Sequence, residues 1–194
     1  MSSDRTDERS GRGGIHIAIS GRSGCGNTTV SRLLAERLGL SFVNYTFRSI
    51  AEEDGIPFED VCGRAEVSDD DDLRVDRTQV ELARKKPSVL GSRLAIWMLE
   101  EADLKVFLSG SPKTRAERIS QREGGSLEEQ MAATEARDKR DHDRYARLYG
   151  IDNYDFSEAD ITVNTDRLDA EQVTDIIEAA ARTVMARRAE AEGG

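Results

Sequence analysis

A glycine-rich segment near the amino terminus has the residue types needed to hold phosphate groups. Residues 21–28 fit the phosphate-binding loop pattern of Gly, four residues, then Gly-Lys-Ser/Thr, with one exception at position 27. In such a loop the backbone N–H groups point inward at phosphate oxygens, and the helix that follows adds its positive end. The candidate nucleotide-binding residues are Gly21, Arg22, Ser23, Gly24, Cys25, Gly26, Asn27, Thr28 and Thr29.

Two positions in this segment bear on the chemistry of phosphoryl transfer. Thr28 stands where the pattern has a hydroxyl that binds Mg²⁺, so it is the candidate metal ligand. Asn27 replaces the lysine that reaches the terminal phosphates. Losing one preorganised donor costs about 10²–10³ in rate in other enzymes. Arg22 or another arginine is a candidate source of the charge, and an ordinary glycine-rich turn is the alternative interpretation of the segment.

A second set of candidates lies in a long charged segment, residues 127–148. Arg137, Arg140 and Arg144 are spaced at i, i+3 and i+7, so they share one face of a helix, and Asp141 lies on the same stripe. Arginine pairs bidentately with phosphate oxygens, so these residues are candidate catalytic groups on a lid that closes over phosphates. The alternative is a solvated helix held by ion pairs such as Arg137 with Asp141.

Alternating strands and helices are expected to position these segments. Short apolar runs predict strands, and periods of three to four predict helices. Their alternation favours an α/β fold, with a parallel sheet covered by helices on both faces. The predicted strands are 15–20, 40–43, 88–91, 103–108 and 160–164, and the predicted helices are 28–38, 45–54, 57–66, 71–85, 92–101, 112–122, 127–148 and 170–188.

Position relative to the strands singles out one more arginine. Arg93 follows the strand at 88–91, and residues at the carboxyl ends of parallel strands line the ligand crevice. Arg93 is therefore a candidate phosphate ligand, although for Arg48, Arg77 and Arg93 alike an ordinary surface arginine is the alternative. The acidic run at 69–72 is expected to cap a helix start, with a metal site as the alternative.

Composition excludes several classes of protein. The 194 residues include 28 Lys+Arg and 38 Asp+Glu, and the net charge of −10 argues against nucleic acid as a partner. The chain has no apolar run of about 18 residues, the length that would predict a membrane span. Residues 1–14 lack the apolar segment of a secretory signal and are interpreted as a disordered tail. Cys25 and Cys62 lack metal-ligand spacing, and without an export signal we expect both to be reduced in the cytoplasm. A monomer is expected as well.

Several blocks of the chain resemble the cytidylate kinase family of nucleoside monophosphate kinases, especially its short, archaeal-like branch. The resemblance covers residues 15–187 and rests on ISGRSGCGNTT, FRSIAEEDGI, VDRTQVELA, LGSRLAIWM, ADLKVFL with RAERISQREG, and above all EARDKRDHDRYARLYGID. It implies a P-loop NTPase-type three-layer α/β/α fold with a parallel five-stranded sheet. The single kinase domain would span 15–188, with an acceptor-binding insertion at 45–86 and a lid at 123–149, before a tail at 189–194.

The resemblance also implies a reaction and roles for the basic residues. ATP and Mg²⁺ would be used to transfer the γ-phosphoryl group to CMP or dCMP, without a covalent enzyme intermediate. Arg137 and Asp141 would contact the acceptor nucleotide, and Arg144 and Arg48 its phosphate. Arg93 matches the arginine of the family's Gly-Arg pair. Base contacts would come from the insertion, which carries Asp76, Arg77 and Gln79.

Departures from the family pattern fall near the donor phosphates. Asn27 replaces the lysine, Ser92 replaces the glycine of the Gly-Arg pair, and Gly91 stands where many members carry an acidic residue. Asn44 and Tyr45 also replace a turn of small residues. Two alternatives therefore stay open: a nucleotide-binding pseudo-kinase that is catalytically impaired, and a kinase for another small acceptor such as UMP, AMP or a non-nucleotide metabolite. A structural or nucleic-acid module is disfavoured by the net charge.

Overall fold

A five-stranded parallel sheet forms the centre of the molecule. The computed structural model describes residues 14–193. The strands are β1 (His16–Gly21), β2 (Ser41–Val43), β3 (Ser88–Gly91), β4 (Leu104–Ser109) and β5 (Ile161–Asn164). Their order in the sheet is β2-β3-β1-β4-β5, and every neighbouring pair is parallel. The predicted fold class is therefore confirmed.

Helices connect the strands and cover both faces of the sheet. Within residues 14–193 they are α1 (Asn27–Leu38), α2 (Phe47–Asp54), α3 (Phe58–Ala65), α4 (Asp70–Arg84), α5 (Ala95–Met98), α6 (Pro112–Glu123), α7 (Leu127–Tyr149) and α8 (Ala170–Gly193). None of these described helices is both long and apolar enough to cross a membrane.

Alternation along β1 separates two apolar cores. Successive strand residues point to opposite faces of a sheet. Ile17 and Ile19 are fully buried in one core with residues of α1 and α8, such as Leu34 and Ile177. Ala18 between them is buried in the other core, with residues of α4 and α5. The sheet is therefore the middle layer of three.

The predicted acceptor-binding insertion forms a small helical layer with its own core. Tyr45, Ile50 and Val61 are buried together, and Val75 packs against them. These side chains come from α2, α3, α4 and the segment before them. The layer lies beyond the carboxyl end of β2, because the chain enters it directly after that strand.

Two predicted helices differ from the structure by more than two residues at one or both ends. The helix predicted at 92–101 shrinks to Ala95–Met98, because the N–H of Ser92 donates to the Ile19 carbonyl and the Leu94 N–H donates to Ser92 Oγ. These bonds make a turn of residues that were predicted to be helical. At the other end, α8 continues to Gly193 rather than stopping at residue 188. Of the predicted tails at 1–14 and 189–194, residues 1–13 and 194 lie outside the described residues, whereas residues 189–193 belong to α8, so the second tail was predicted wrongly there.

Candidate active site

A cleft of about 560 Å³ opens at the carboxyl ends of β1 and β3. Ligands bind at this edge of parallel α/β sheets, where connections leave neighbouring strands in opposite directions. The structure brings most of the predicted site residues together here. Those that line the cleft are Gly21, Arg22, Ser23, Gly24, Gly26, Asn27, Thr28, Thr29, Arg48, Arg93, Arg137 and Arg144.

Four predicted site residues do not line this cleft. Arg77 on α4 and Arg140 on α7 are exposed and lie outside its lining. The Cys25 side chain is buried under the loop, and burial raises the pKa of its thiol to about 11, so it stays protonated. Asp141 is buried beside the cleft and binds two of its arginines.

Backbone geometry of the glycine-rich segment suits an anion. Gly24 has φ +86°, and a Cβ there would lie 2.7 Å from the Arg115 carbonyl oxygen, so the loop requires glycine at this position. Gly26 begins α1 without a side-chain capping hydrogen bond, and the first turn of α1 carries no acidic residue. The N–H groups at this helix start are therefore available to phosphate oxygens.

Charge in the cleft is opposite to the charge of the whole chain. Among the described residues, the lining has seven arginines and two carboxylates, a formal charge of +5. The chain as a whole carries −10. A positively lined cleft concentrates anionic ligands whatever the net charge. The arginines are Arg22, Arg48, Arg93, Arg118, Arg122, Arg137 and Arg144, and the carboxylates are Asp72 and Asp76.

Helix α7 packs its arginine face onto the cleft. Arg137 Nη1 donates to Ser23 Oγ of the glycine-rich loop at 3.0 Å. Arg93 Nη1 lies 2.7 Å from Asp141 Oδ2, and Arg144 Nη2 lies 3.5 Å from Asp141 Oδ1. The alternative pair of Arg137 with Asp141 is not among the ion pairs of the described residues. Arg137 and Arg144 therefore face the cleft instead of forming a purely solvated helix surface.

The acidic run at 69–72 binds arginines. It lies at the start of α4 as expected, but the Asp69 side chain makes no capping hydrogen bond. Asp69 instead pairs with Arg147, and Asp72 pairs with Arg144 at 2.5 Å. The Arg147 hydrogen bond lowers the pKa of Asp69, whereas burial raises the pKa of Asp72. No group of three or more metal-ligating side chains occurs in residues 14–193.

Asp76 is expected to make stability depend on pH between about 4 and 6. Burial raises the pKa of its carboxyl from 3.8 to about 6, although Tyr149 Oη donates to it at 2.8 Å. Between these values the folded chain holds a proton that the unfolded chain has lost. Its contribution to stability is thus full below pH 4 and is lost as pH rises through 6.

Asp76→Asn removes this titration and keeps an oxygen that accepts from Tyr149. The melting temperature of the variant minus that of the wild type should rise from pH 4 to pH 6.5 and then level off. Thermal melts at several pH values measure this difference. A difference that is constant over the range would contradict the prediction.

Sequence reasoning missed contacts that α6 makes with the loop. Arg115 is buried, donates to the Ser23 carbonyl at 3.1 Å and pairs with Asp138 at 2.6 Å. Arg118 donates to the Gly24 carbonyl of the loop at 3.4 Å and to Thr165 Oγ1, outside the loop, at 2.9 Å. The signal was present in the chain, because Arg115, Arg118 and Arg122 repeat the i, i+3, i+7 spacing of the arginines on α7.

The parallel sheet, the glycine-rich loop and the arginine-lined cleft define a P-loop α/β protein that binds nucleotide phosphates. Solved structures share this fold. Shikimate kinase from Acinetobacter baumannii in complex with shikimate has a TM-score of 0.62 at 20% identity, over 87% of this chain and 93% of that one. Deoxyadenosine kinase from M. mycoides with bound dATP has a TM-score of 0.51 at 17% identity, over 87% and 100%. At these identities the likeness concerns the fold alone.

Within that class, the chain belongs to the cytidylate kinase-like family, whose model matches residues 16–167. Cytidylate kinase 2 of Borreliella afzelii is 42% identical over 167 residues, or 84% of this chain and 94% of that protein. Cytidylate kinase of Pyrococcus horikoshii is 40% identical over 166 residues, or 84% and 86%. The predicted family, with its archaeal likeness, is confirmed, and the protein is a nucleotide-binding kinase.

Proposed function

We propose that this protein transfers the γ-phosphoryl group of ATP to CMP or dCMP, giving CDP or dCDP. One observation carries the proposal: the glycine-rich loop and the arginines Arg48, Arg93 and Arg144 line a single cleft. Such a cleft holds a donor phosphate and an acceptor phosphate side by side, which is most of what phosphoryl transfer requires. The proposal is of a cytoplasmic monomer that acts on small nucleotides, with neither nucleic acid nor membrane as a partner.

The end of the cleft formed by the glycine-rich loop supports a nucleoside triphosphate as the phosphoryl donor. The loop and the uncapped start of α1 offer N–H groups to its phosphates. Beyond the loop lies a second cavity of about 400 Å³, lined by the apolar side chains of Val30, Leu168 and Val173 and by Arg118. The same lining also carries the Thr165 hydroxyl and the Asp169 carboxylate, and such a mixed wall suits a purine base, which stacks and both donates and accepts hydrogen bonds. We assign this cavity to the adenine of ATP.

The end of the cleft that Arg48, Arg144 and α4 line, here called the acceptor end, supports a cytosine nucleotide as the phosphoryl acceptor. Arg48, which lies over the Phe58 ring at 4.9 Å, and Arg144 provide charge for its phosphate. Asp72, Asp76 and Gln79 line the same end of the cleft from α4. Carboxylates accept hydrogen bonds from the amino group of cytosine, which uracil lacks. This acidic wall favours CMP and dCMP over UMP.

The residues of the loop fit a metal ion that arrives with the nucleotide. Thr28 is exposed at the first turn of α1 and lines the cleft. Mg²⁺ prefers oxygen ligands and keeps several waters, so one protein hydroxyl with phosphate oxygens and water forms a suitable set. When bound, the ion would neutralise charge on the β- and γ-phosphates. Thr28 would be the residue of this chain that holds it.

Thr28→Ala is expected to raise the Mg²⁺ concentration that gives half the maximal rate by about 10–100-fold, as loss of a metal-orienting group does elsewhere. Thr28→Ser keeps the hydroxyl and should stay near the wild type. Initial rates over a Mg²⁺ series at fixed ATP measure the change. Equal Mg²⁺ dependence in the alanine and serine variants would show that the hydroxyl does not hold the ion.

A coupled assay of ADP release with ATP and Mg²⁺ tests the proposed reaction. The acceptor panel is CMP, dCMP, UMP, AMP and shikimate, and the highest kcat/KM is expected with CMP or dCMP. Preference for another acceptor would refute the substrate assignment. No turnover of any acceptor, with retained nucleotide binding, would instead identify a pseudo-kinase.

A further inference from the structure

The departures from the family pattern at positions 27, 91 and 92 lie in one contact cluster. Asn27 Nδ2 donates to the Ser92 carbonyl at 2.9 Å, and Ser31 Oγ donates to Asn27 Oδ1 at 3.0 Å. Gly91 packs against the same side chains, since a Cβ there would lie 2.6 Å from Ser31 Oγ and 3.3 Å from Asn27 Oδ1. Both ends of the Asn27 amide are thus bonded to protein groups.

The hydrogen bond from Asn27 to the Ser92 carbonyl helps to fix the turn that carries Arg93. The Ser92 N–H donates to the Ile19 carbonyl at 3.2 Å. Its Oγ accepts from the Leu94 N–H at 3.2 Å, and its carbonyl accepts from Asn27. Because Arg93 is the next residue, these three bonds set the direction in which its side chain leaves the backbone.

An amide suits this position better than a lysine does. An amide donates through nitrogen and accepts through oxygen at once, whereas an ammonium group only donates. Ser31 is fully buried, so a lysine at 27 would remove the acceptor of a buried hydroxyl. An acidic residue at 91 would collide with Ser31, which a glycine avoids. The residues at 27, 31 and 91 therefore depend on one another.

We propose that Asn27 is a positioning residue for Arg93. Through the Ser92 carbonyl it holds Arg93 at the acceptor end of the cleft, so the residue at the lysine position serves the acceptor phosphate rather than the donor phosphates. The naming of CMP as acceptor rests on the proposed function. The cluster of Asn27, Ser31, Gly91 and Ser92 is then a coherent arrangement, and Asn27 is not the remnant of a lost lysine.

Steady-state kinetics separate the two roles for Asn27. In Asn27→Ala the KM for CMP should rise about tenfold or more, while the KM for ATP stays within about twofold. A tenfold rise corresponds to a loss of about 1.4 kcal/mol in the binding free energy of CMP. Asn27→Lys should bring no gain in kcat. Ser31→Ala keeps the bond to Ser92 and should stay near the wild type. A rise in the KM for ATP alone, or a gain in kcat with lysine, would overturn the proposal.

A double-mutant cycle tests whether the effect passes through Arg93. Once Arg93 is alanine, adding Asn27→Ala should change the KM for CMP by less than about twofold, because the positioned group is gone. Arg48 is the matched control, since it also faces the acceptor end but lies on α2 over Phe58. Asn27→Ala with Arg48→Ala should be additive. Additivity with both arginines would mean that Asn27 does not act through Arg93.

Measurements of ligand binding, which need no turnover, distinguish failure of the positioning role from failure of the proposed function. Trp97 is the single tryptophan of the chain and, with Arg93, lines a small cavity beside the cleft. Its fluorescence should follow titrations with CMP and with inorganic phosphate, and both should bind more weakly to Asn27→Ala, in a variant whose melting temperature shows it folded. Unchanged phosphate binding would refute the positioning role. A wild type that binds both but turns over no CMP would refute the proposed reaction alone.

Asn27→Asp takes the place of Asn27→Ala in the phosphate-binding test if the alanine variant does not fold. The aspartate keeps an oxygen for Ser31 but has no N–H for the Ser92 carbonyl, so it should weaken phosphate binding as alanine does. Binding equal to the wild type in this folded variant would overturn the proposal.

Discussion

Arg137→Ala is expected to lower kcat by about 10³-fold, the lower limit for loss of an arginine that stabilises a transferring phosphoryl group. Arg137 Nη1 bonds to Ser23 Oγ, which places this guanidinium of α7 at the phosphate-binding loop. The loop has no lysine, and the Asn27 amide is bonded to Ser92 and Ser31. We propose that the positive charge for the transferring group comes from an arginine, and Arg137 is the one whose side chain α7 bonds to the loop.

Two variants on the same helix control this result. Lys139→Ala removes an exposed cation whose partner is Asp143, and its kcat should stay within about twofold of the wild type, as for a surface ion pair. Arg137→Lys keeps a charge but loses the fork geometry and should recover part of the rate. Single-turnover rates at saturating ATP and CMP measure the chemical step. A kcat for Arg137→Ala within tenfold of the wild type would assign the charge to another arginine.

Local signals predicted most of the fold. The five strands are short apolar runs, and their observed bounds lie within a residue or so of those predicted, because burial on both faces leaves few polar residues inside. The glycine-rich loop was found because its function lies in consecutive residues. Helix α7 was found because its arginines repeat on one face. Each of these features is a property of a single segment.

Contacts between distant segments could not be predicted in the same way. Asp72 and Arg144 are 72 positions apart, so the acidic run showed its place at a helix start but not its arginine partners. The helix predicted at 92–101 is short because Ser92 bonds to Ile19 and Asn27, which belong to other elements. Asn27 appeared as the loss of a charge, since only the folded chain brings it to Ser92.

Arg115→Ala is expected to lower the free energy of unfolding by about 3–5 kcal/mol, the usual loss when one member of a buried ion pair is removed. The Arg115 side chain is 3% exposed and its partner Asp138 is 10% exposed. Its guanidinium also donates to the Ser23 carbonyl, and Gly24 packs on its backbone. Lys113→Ala on the same helix breaks an exposed pair with Glu117 and should cost less than about 1 kcal/mol. Urea unfolding of both variants measures the difference.

A double variant separates the stability of Arg115 from its support of the loop. Replacing a buried ion pair with apolar residues of similar volume is often neutral, so Arg115→Met with Asp138→Leu should recover most of the lost stability. The Ser23 carbonyl still lacks its donor in that variant, so nucleotide binding should stay weaker than in the wild type. Recovery of both properties would mean that the pair holds α6 to α7 and contributes nothing to the loop. Recovery of stability alone would show that Arg115 shapes the loop directly, through the one bond that methionine cannot make.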